Sequence, residues 1–287
     1  VLAVDLLAAM MPVVLAVLNS LDPAIIYRYA KEAPPFLFTF VKATLALAFV
    51  SILVVLSGVH LEISPSYAVF LATLSGILGP GVGDATYTRS IQLLGGSLAV
   101  VVGFTYIFFA QGLSALILHE AVGFNAVIGA ILAFTGVTVT SLDRRRGIYS
   151  LKGLIYALIA AICWSLAVVL VKAVQEYFNA LLLAFLRITS ALLTMPLIST
   201  IYGERKTFTK GFFVAATISG VLGWGVGMIL YIQSVYLLGI SVTTIALALT
   251  PVLSQITTKV ISREKASLNV FIGALLVTLG ITLQVFH

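Results

Sequence analysis

The chain has 287 residues, of which 61% are hydrophobic and only 9% charged, with a mean hydropathy of +1.17 and a formal net charge of +6. Soluble globular domains carry roughly 25% charged residues, so this composition excludes one large water-soluble core, because too little polar surface exists to solvate it. Each membrane crossing needs about 20 apolar residues, and the length with short loops allows about ten.

Ten apolar runs separate in chain order, at 5–27, 35–57, 66–89, 97–117, 124–142, 151–174, 179–201, 210–236, 241–262 and 267–286. The first begins without Lys or Arg, carries Asp5 and lacks a small-x-small end, so it reads as a membrane helix and not as a cleaved signal. Helices are expected throughout, because an apolar segment in lipid must satisfy its own backbone hydrogen bonds. The runs are too long and too uniformly apolar for barrel strands. The basic pI of 9.5 does not point to nucleic acid, since the charges sit in the gaps between runs. The lone Cys163, in the sixth run, excludes an intrachain disulfide and a cysteine-based metal cluster.

The third and eighth runs contain a repeat. Residues 75–97 (SGILGPGVGDATYTRSIQLLGGS) and 219–241 (SGVLGWGVGMILYIQSVYLLGIS) align without a gap at an offset of 144 and share 13 of 23 residues. The same offset carries Glu120 onto Glu264, Gly129 onto Gly273 and Gly136 onto Gly280. Nearer the start of each unit an offset of 145 sets Lys42 over Arg187 and Asn19 over Trp164. The expected architecture is all-α and integral to the membrane: ten transmembrane helices as two five-helix repeats, 1–146 and 147–287. Five is odd, so the second unit enters the bilayer from the opposite side, giving an inverted repeat that places a substrate site near the midplane.

These residues also carry a resemblance. An Asn or Trp in the first helix of a unit, a basic residue inside the second, SGxLGxGxG before a Tyr in the third, and Pro251-Val252 leading to Glu264 and a G-x6-G helix resemble the EamA-type transporters of the drug/metabolite transporter superfamily. Ile107 stands where the second unit has Pro251, and Asn19 where it has Trp164. The resemblance implies a small-metabolite transporter, with amino acids as the substrate class, and cytoplasmic termini. The charges read the other way on topology. Thirteen basic residues (Arg28, Lys31, Arg89, Arg144, Arg145, Arg146, Lys152, Arg205, Lys206, Lys210, Lys259, Arg263 and Lys265) fall in loops of one face, against Lys172 alone on the terminal face. The positive-inside rule then puts the termini outside a plasma membrane.

The candidate site residues follow from depth. Lys42 and Arg187 each lie about eight residues into their helices, roughly 12 Å from the entry face at 1.5 Å per residue, and so near the midplane. A charge there costs about 2.5–3.5 kcal/mol and must face protein or a wet cavity. Asp22 and Asp84 fall in the same half of the bilayer as Lys42, and serve either as its ion-pair partners or in proton coupling. Arg187 has no acidic residue in its half, leaving neutral groups, water or an anionic substrate group as its partners. Asn19, Tyr87, Trp164 and Tyr231 complete the expected substrate-binding set, each with core packing as the alternative. Gly76, Gly79, Gly83 and their copies Gly220, Gly223 and Gly227 permit close helix approach.

Gly79-Pro80-Gly81-Val82-Gly83 has no preceding strand and is no phosphate loop. His119-Glu120 lacks the second His of a zinc motif, and Glu120 and Glu264 read as helix caps or loop anchors. No metal or cofactor is expected. The leading expectation is a secondary transporter, exporting small polar metabolites by alternating access, with a zwitterionic or anionic substrate and the lipid bilayer as partners; a homodimer is left open. An integral membrane enzyme, or a lipid-handling or structural protein without a central site, is the alternative.

Overall fold

The computed structural model describes residues 2–59, 65–119, 123–141, 151–205, 208–264 and 267–283, and these contain helices and no strand. In chain order they are α1 (Leu2–Tyr29), α2 (Pro35–Ser57), α3 (Ser66–Gly76), a π-helical segment (Ile77–Gly83), α4 (Asp84–Leu94), α5 (Gly96–Gly103), α6 (Tyr106–Leu118) and α7 (Phe124–Ser141). The second half follows with α8 (Leu151–Val174), α9 (Ala180–Ile201), α10 (Lys210–Thr217), a π-helical segment (Ile218–Val226), α11 (Gly227–Leu247), α12 (Thr250–Thr257), a π-helical segment (Thr258–Ser262) and α13 (Leu268–Leu283). Seven spans among the described residues, some continuous and some interrupted, are long and apolar enough to cross a membrane; Phe124–Thr140 and Leu268–Leu283 are shorter apolar helices. Their outward faces expose Ile52, Val55, Leu193 and Leu197. A belt of that kind suits lipid and not water.

The halves interleave. α2 packs on α9, α4 on α8, α1 on α11 and α7 on α13. Small residues set these approaches. A Cβ added at Gly76 would stand 2.5 Å from the Arg187 carbonyl oxygen, and one at Gly220 would stand 2.6 Å from the Lys42 carbonyl oxygen. Each glycine therefore touches the backbone at the basic residue of the other half. Gly136 packs against the Gly273 carbonyl in the same way, and Gly129 against that of Gly280.

Two expectations about the runs need correction. The run at 97–117 is interrupted at Phe104–Thr105, although no proline breaks it there. The interruption lies 144 residues before that at Ala248–Leu249, where Pro251 removes a backbone donor from the first turn of α12. Hydroxyls satisfy the backbone around both: Ser165 donates to the Tyr106 carbonyl at 2.8 Å, and Thr278 to that of Ala248 at 2.7 Å. The gap expected at 237–240 is absent, because α11 runs unbroken through it. The first half turns at Gly95, whose φ of 88° suits glycine, and is followed by Gly96. The second half has Gly239-Ile240 there, and a single glycine before a β-branched residue does not stop the helix.

Helix ends of both halves meet at two faces. On one, the Glu264 carboxylate accepts the N–H groups of Gly96 (2.9 Å) and Ser97 (3.3 Å), and Glu204 accepts those of Phe36 (3.1 Å) and Leu37 (2.8 Å). These are the orphan donors at the starts of α5 and α2. Gln92 donates to the carbonyls of Ala30 and Ala33, and Arg28 to that of Ile261, on the same face. Of the basic residues assigned to it, Arg144–Arg146, Lys206 and Lys265 lie outside the described residues, as does Glu120. On the other face the hydroxyls of Tyr67 and Tyr177 are hydrogen-bonded, and Tyr236 donates to the carbonyls of Gln175 and Phe178.

Candidate functional site: a charged cavity between the halves

Both glycine-rich runs become π-helical over overlapping stretches of their repeats, at Ile77–Gly83 and Ile218–Val226. Such segments loosen the regular i→i−4 ladder and are frequent at functional sites. Here they border a cavity of about 200 Å³. That is the share of roughly seven waters at about 30 Å³ each, and below the roughly 300–1,000 Å³ typical of sites for drug-sized ligands. The cavity suits a small solute.

All eight residues singled out in the sequence line it: Asn19, Asp22, Lys42, Asp84, Tyr87, Trp164, Arg187 and Tyr231. They come from α1, α2, α4, α8, α9 and α11, so the cavity belongs to neither half alone. Lys42 is 2% exposed and its ammonium stands 2.8 Å from Asp84 Oδ2 and 3.5 Å from Asp22 Oδ2. Burial of a lysine is costly unless the charge is paired, and two carboxylates supply the pairing. Asp84 also accepts the indole N–H of Trp164 on Oδ1, at 2.9 Å, and that of Trp224 on Oδ2, at 2.7 Å. The Lys42 ammonium sits 4.7 Å from the Trp224 ring centroid, in cation–π range.

Arg187 has a different setting. It is 7% exposed, its Nε has no hydrogen-bond partner, and among the described residues no carboxylate lies within ion-pair distance of it. Gly79 leaves room for the guanidinium, since a Cβ there would come within 2.9 Å of Nη2. Tyr87, Tyr106 and Trp164 form an aromatic wall, with ring centroids 4.7 Å apart for Tyr87–Trp164 and 5.8 Å for Tyr106–Trp164.

Two lining residues with a hydrogen-bonding side chain, Trp224 and Tyr106, escaped the sequence reading. Trp224 aligns with Pro80 in the repeat, and the glycines around it suggested helix packing alone. The signal was nonetheless present, as a large ring with one N–H donor inside a glycine-rich membrane run needs both space and an acceptor. Tyr106 gave less away, because nothing in its local pattern separates it from the other aromatic residues of its run.

The chain matches the EamA-like transporter family twice, over residues 6–142 and 151–286. It is 25% identical over 210 residues to an uncharacterized transporter of Archaeoglobus fulgidus, covering 73% of each chain. A solved crystal structure shares the fold with a TM-score of 0.69 at 20% identity, over 96% of this chain and 94% of that one. The family and the archaeal relative point to a multi-pass membrane transporter rather than an enzyme. With both halves matched over nearly their whole length, the chain belongs to the EamA-like transporter family.

Proposed function

We propose that this protein is a secondary transporter of small zwitterionic metabolites, amino acids foremost, that exports them across the plasma membrane by alternating access to the central cavity. Its apolar helices are the crossings, arranged as two inverted units, 1–146 and 147–287, with the termini outside. The reciprocal contacts of Gly76 with Arg187 and of Gly220 with Lys42 support a two-fold relation between the units. Equivalent π segments and equivalent helix interruptions in both halves support it further.

One observation carries the substrate reading. The cavity holds carboxylates and a buried guanidinium without a counter-ion, in a space fit for a small solute. An arginine fork matches a carboxylate, and Asp22 or Asp84 offers the complementary charge for an ammonium group. Units that rock about such a site would expose it to each side in turn. The test is uptake into proteoliposomes containing the purified protein, against a panel of labelled amino acids, sugars, nucleosides and phosphate esters. Amino acids are expected to accumulate or exchange above protein-free vesicles. Selective movement of an uncharged sugar or nucleoside instead would overturn the zwitterion reading.

A further inference from the structure

The proposed function leaves two carboxylates as candidates for the ammonium group, and their surroundings separate them. Asp84 is saturated: Oδ1 accepts from Trp164, while Oδ2 accepts from Trp224 and from Lys42. Those donors stand on α8, the second π segment and α2, so Asp84 ties three elements from both halves together. Asp22 is not saturated. Its Oδ2 lies 3.5 Å from the shared ammonium, and its Oδ1 is shielded from water with no hydrogen-bond partner. A buried carboxylate oxygen without a donor is an uncommon arrangement that calls for a cause.

The charge count gives the same answer. Two carboxylates face one ammonium, so this end of the cavity holds one negative charge in excess. Arg187 supplies one positive charge in excess at the other, nine-tenths buried and with Nε unpartnered. The four groups together are neutral, yet the two excess charges are left without partners of their own. Each also has a glycine beside it from the same repeat position. A Cβ added at Gly79 would meet Arg187 Nη2, and one added at Gly223, 144 residues later, would stand 3.9 Å from Asp22 Oδ1.

We infer that Asp22 Oδ1 is the cation-recognition atom of the cavity, and that Asp84 is a positioning residue that orders Trp164, Trp224 and Lys42 around it. The ligand class is an α-amino acid, or another small molecule carrying both a primary ammonium and a carboxylate. The ammonium donates to Asp22, and Arg187 donates to the carboxylate. This assignment rests on the zwitterion reading of the site.

The two tryptophans of the chain both line the cavity, so intrinsic fluorescence reports on it directly. Binding is measured in nanodiscs with the twenty common L-amino acids. The tightest is then compared with its N-acetyl derivative, which lacks the ammonium, and with its amide, which lacks the carboxylate. Wild-type protein is expected to prefer the amino acid over the N-acetyl form by about tenfold or more, as loss of a charge-assisted hydrogen bond implies. Asp22→Asn should bring that ratio close to one while leaving discrimination against the amide intact. Gly223→Ala, whose Cβ makes only an ordinary contact, should keep the fold and lower the same ratio in part. Asp84→Asn should lower the melting temperature and leave the ratio high in the protein that remains folded. A ratio that survives in Asp22→Asn and collapses in folded Asp84→Asn overturns the assignment alone. Failure of wild-type protein to bind any of the twenty overturns the zwitterion reading itself.

Discussion

Asp84 accepts the indole N–H of Trp164 at 2.9 Å, so a carboxylate from the first half of the chain is held by a ring from the second. Trp224 holds its other oxygen at 2.7 Å, and Lys42 closes the cluster with an ion pair at 2.8 Å. The two halves thus share one charged cluster in the buried interior. Its members depend on one another, because each buried donor or charge would be left unsatisfied by loss of its partner.

The first prediction follows from that dependence. Lys42→Met leaves two carboxylates without their cation, and breaking a buried pair from one side costs roughly 3–5 kcal/mol. The melting temperature in detergent should fall, and adding Asp22→Asn or Asp84→Asn should recover part of the loss. Double-mutant cycles that show simple additivity for both acids would remove the energetic role of the ion pairs.

A second prediction concerns the crossed glycines. Gly76→Ala drives a methyl into the Arg187 backbone and Gly220→Ala drives one into that of Lys42, and neither backbone can yield as a flexible side chain would. Overpacking of this kind costs about 1–3 kcal/mol. Gly112 is the control, with nothing within 4 Å of an added Cβ. Gly112→Ala should leave stability unchanged or raise it by up to about 1 kcal/mol, as the helix preference for alanine implies. Equal melting temperatures for the three variants would contradict the close approach.

What was legible in the sequence was set by cost. A lysine and an arginine in apolar runs are expensive enough to demand a cavity or a partner, and depth along the helices sets Asp22 and Asp84 in the same half of the bilayer as Lys42. The repeat was legible because glycines at a backbone contact cannot be exchanged for larger residues. The π segments were not, since a change from i→i−4 to i→i−5 hydrogen bonding leaves the hydrophobic run unaltered. Nor was the interruption at Phe104–Thr105, where tertiary contacts do what Pro251 does in the other half. Trp224 was hidden by its partner in the alignment: Pro80 gave no hint that this position faces an acid.

Glu264 and Glu204 yield a third prediction. Each carboxylate takes two backbone N–H groups at the start of a helix from the other half, α5 and α2 respectively. A glutamine amide offers one acceptor oxygen where two are needed, so Glu264→Gln leaves a buried N–H unsatisfied, at a cost of about 1–3 kcal/mol. Glu204→Gln should behave alike. Hydrogen exchange at Gly96 and Ser97 should quicken in the first variant, and at Phe36 and Leu37 in the second. Unchanged exchange at those amides would mean that the caps contribute nothing to local stability.

The fourth prediction is orientation. The helix ends and loops on the face of Glu264, Glu204, Gln92 and Arg28 carry the described basic residues Arg28, Lys31, Arg89, Lys152, Arg205, Lys210, Lys259 and Arg263. The positive-inside rule makes that face cytoplasmic. A reporter fused after His287 should therefore be active outside the cytoplasm. Cytoplasmic activity of the same fusion would reverse the assignment and restore the topology that the family resemblance implies.

The fifth prediction isolates Arg187. Its guanidinium is 7% exposed, and its Nε has no hydrogen-bond partner. Its helix meets the other half through the backbone, at Gly76, and so packing there does not depend on the head group. Arg187→Lys keeps a positive charge but loses the planar fork, and should retain the fold while weakening transport of carboxylate-bearing solutes about tenfold. Arg187→Gln removes the charge and should nearly abolish that transport, with a melting temperature equal to or above that of the wild type, because an uncompensated buried charge has gone. If the guanidinium instead serves the structure, both variants should melt early before any transport defect is seen. Uptake into liposomes and a melting curve from the same preparation separate the two outcomes. Normal uptake by folded Arg187→Gln protein would end the role of Arg187 in substrate recognition and, with it, the main reason to expect a carboxylate on the solute.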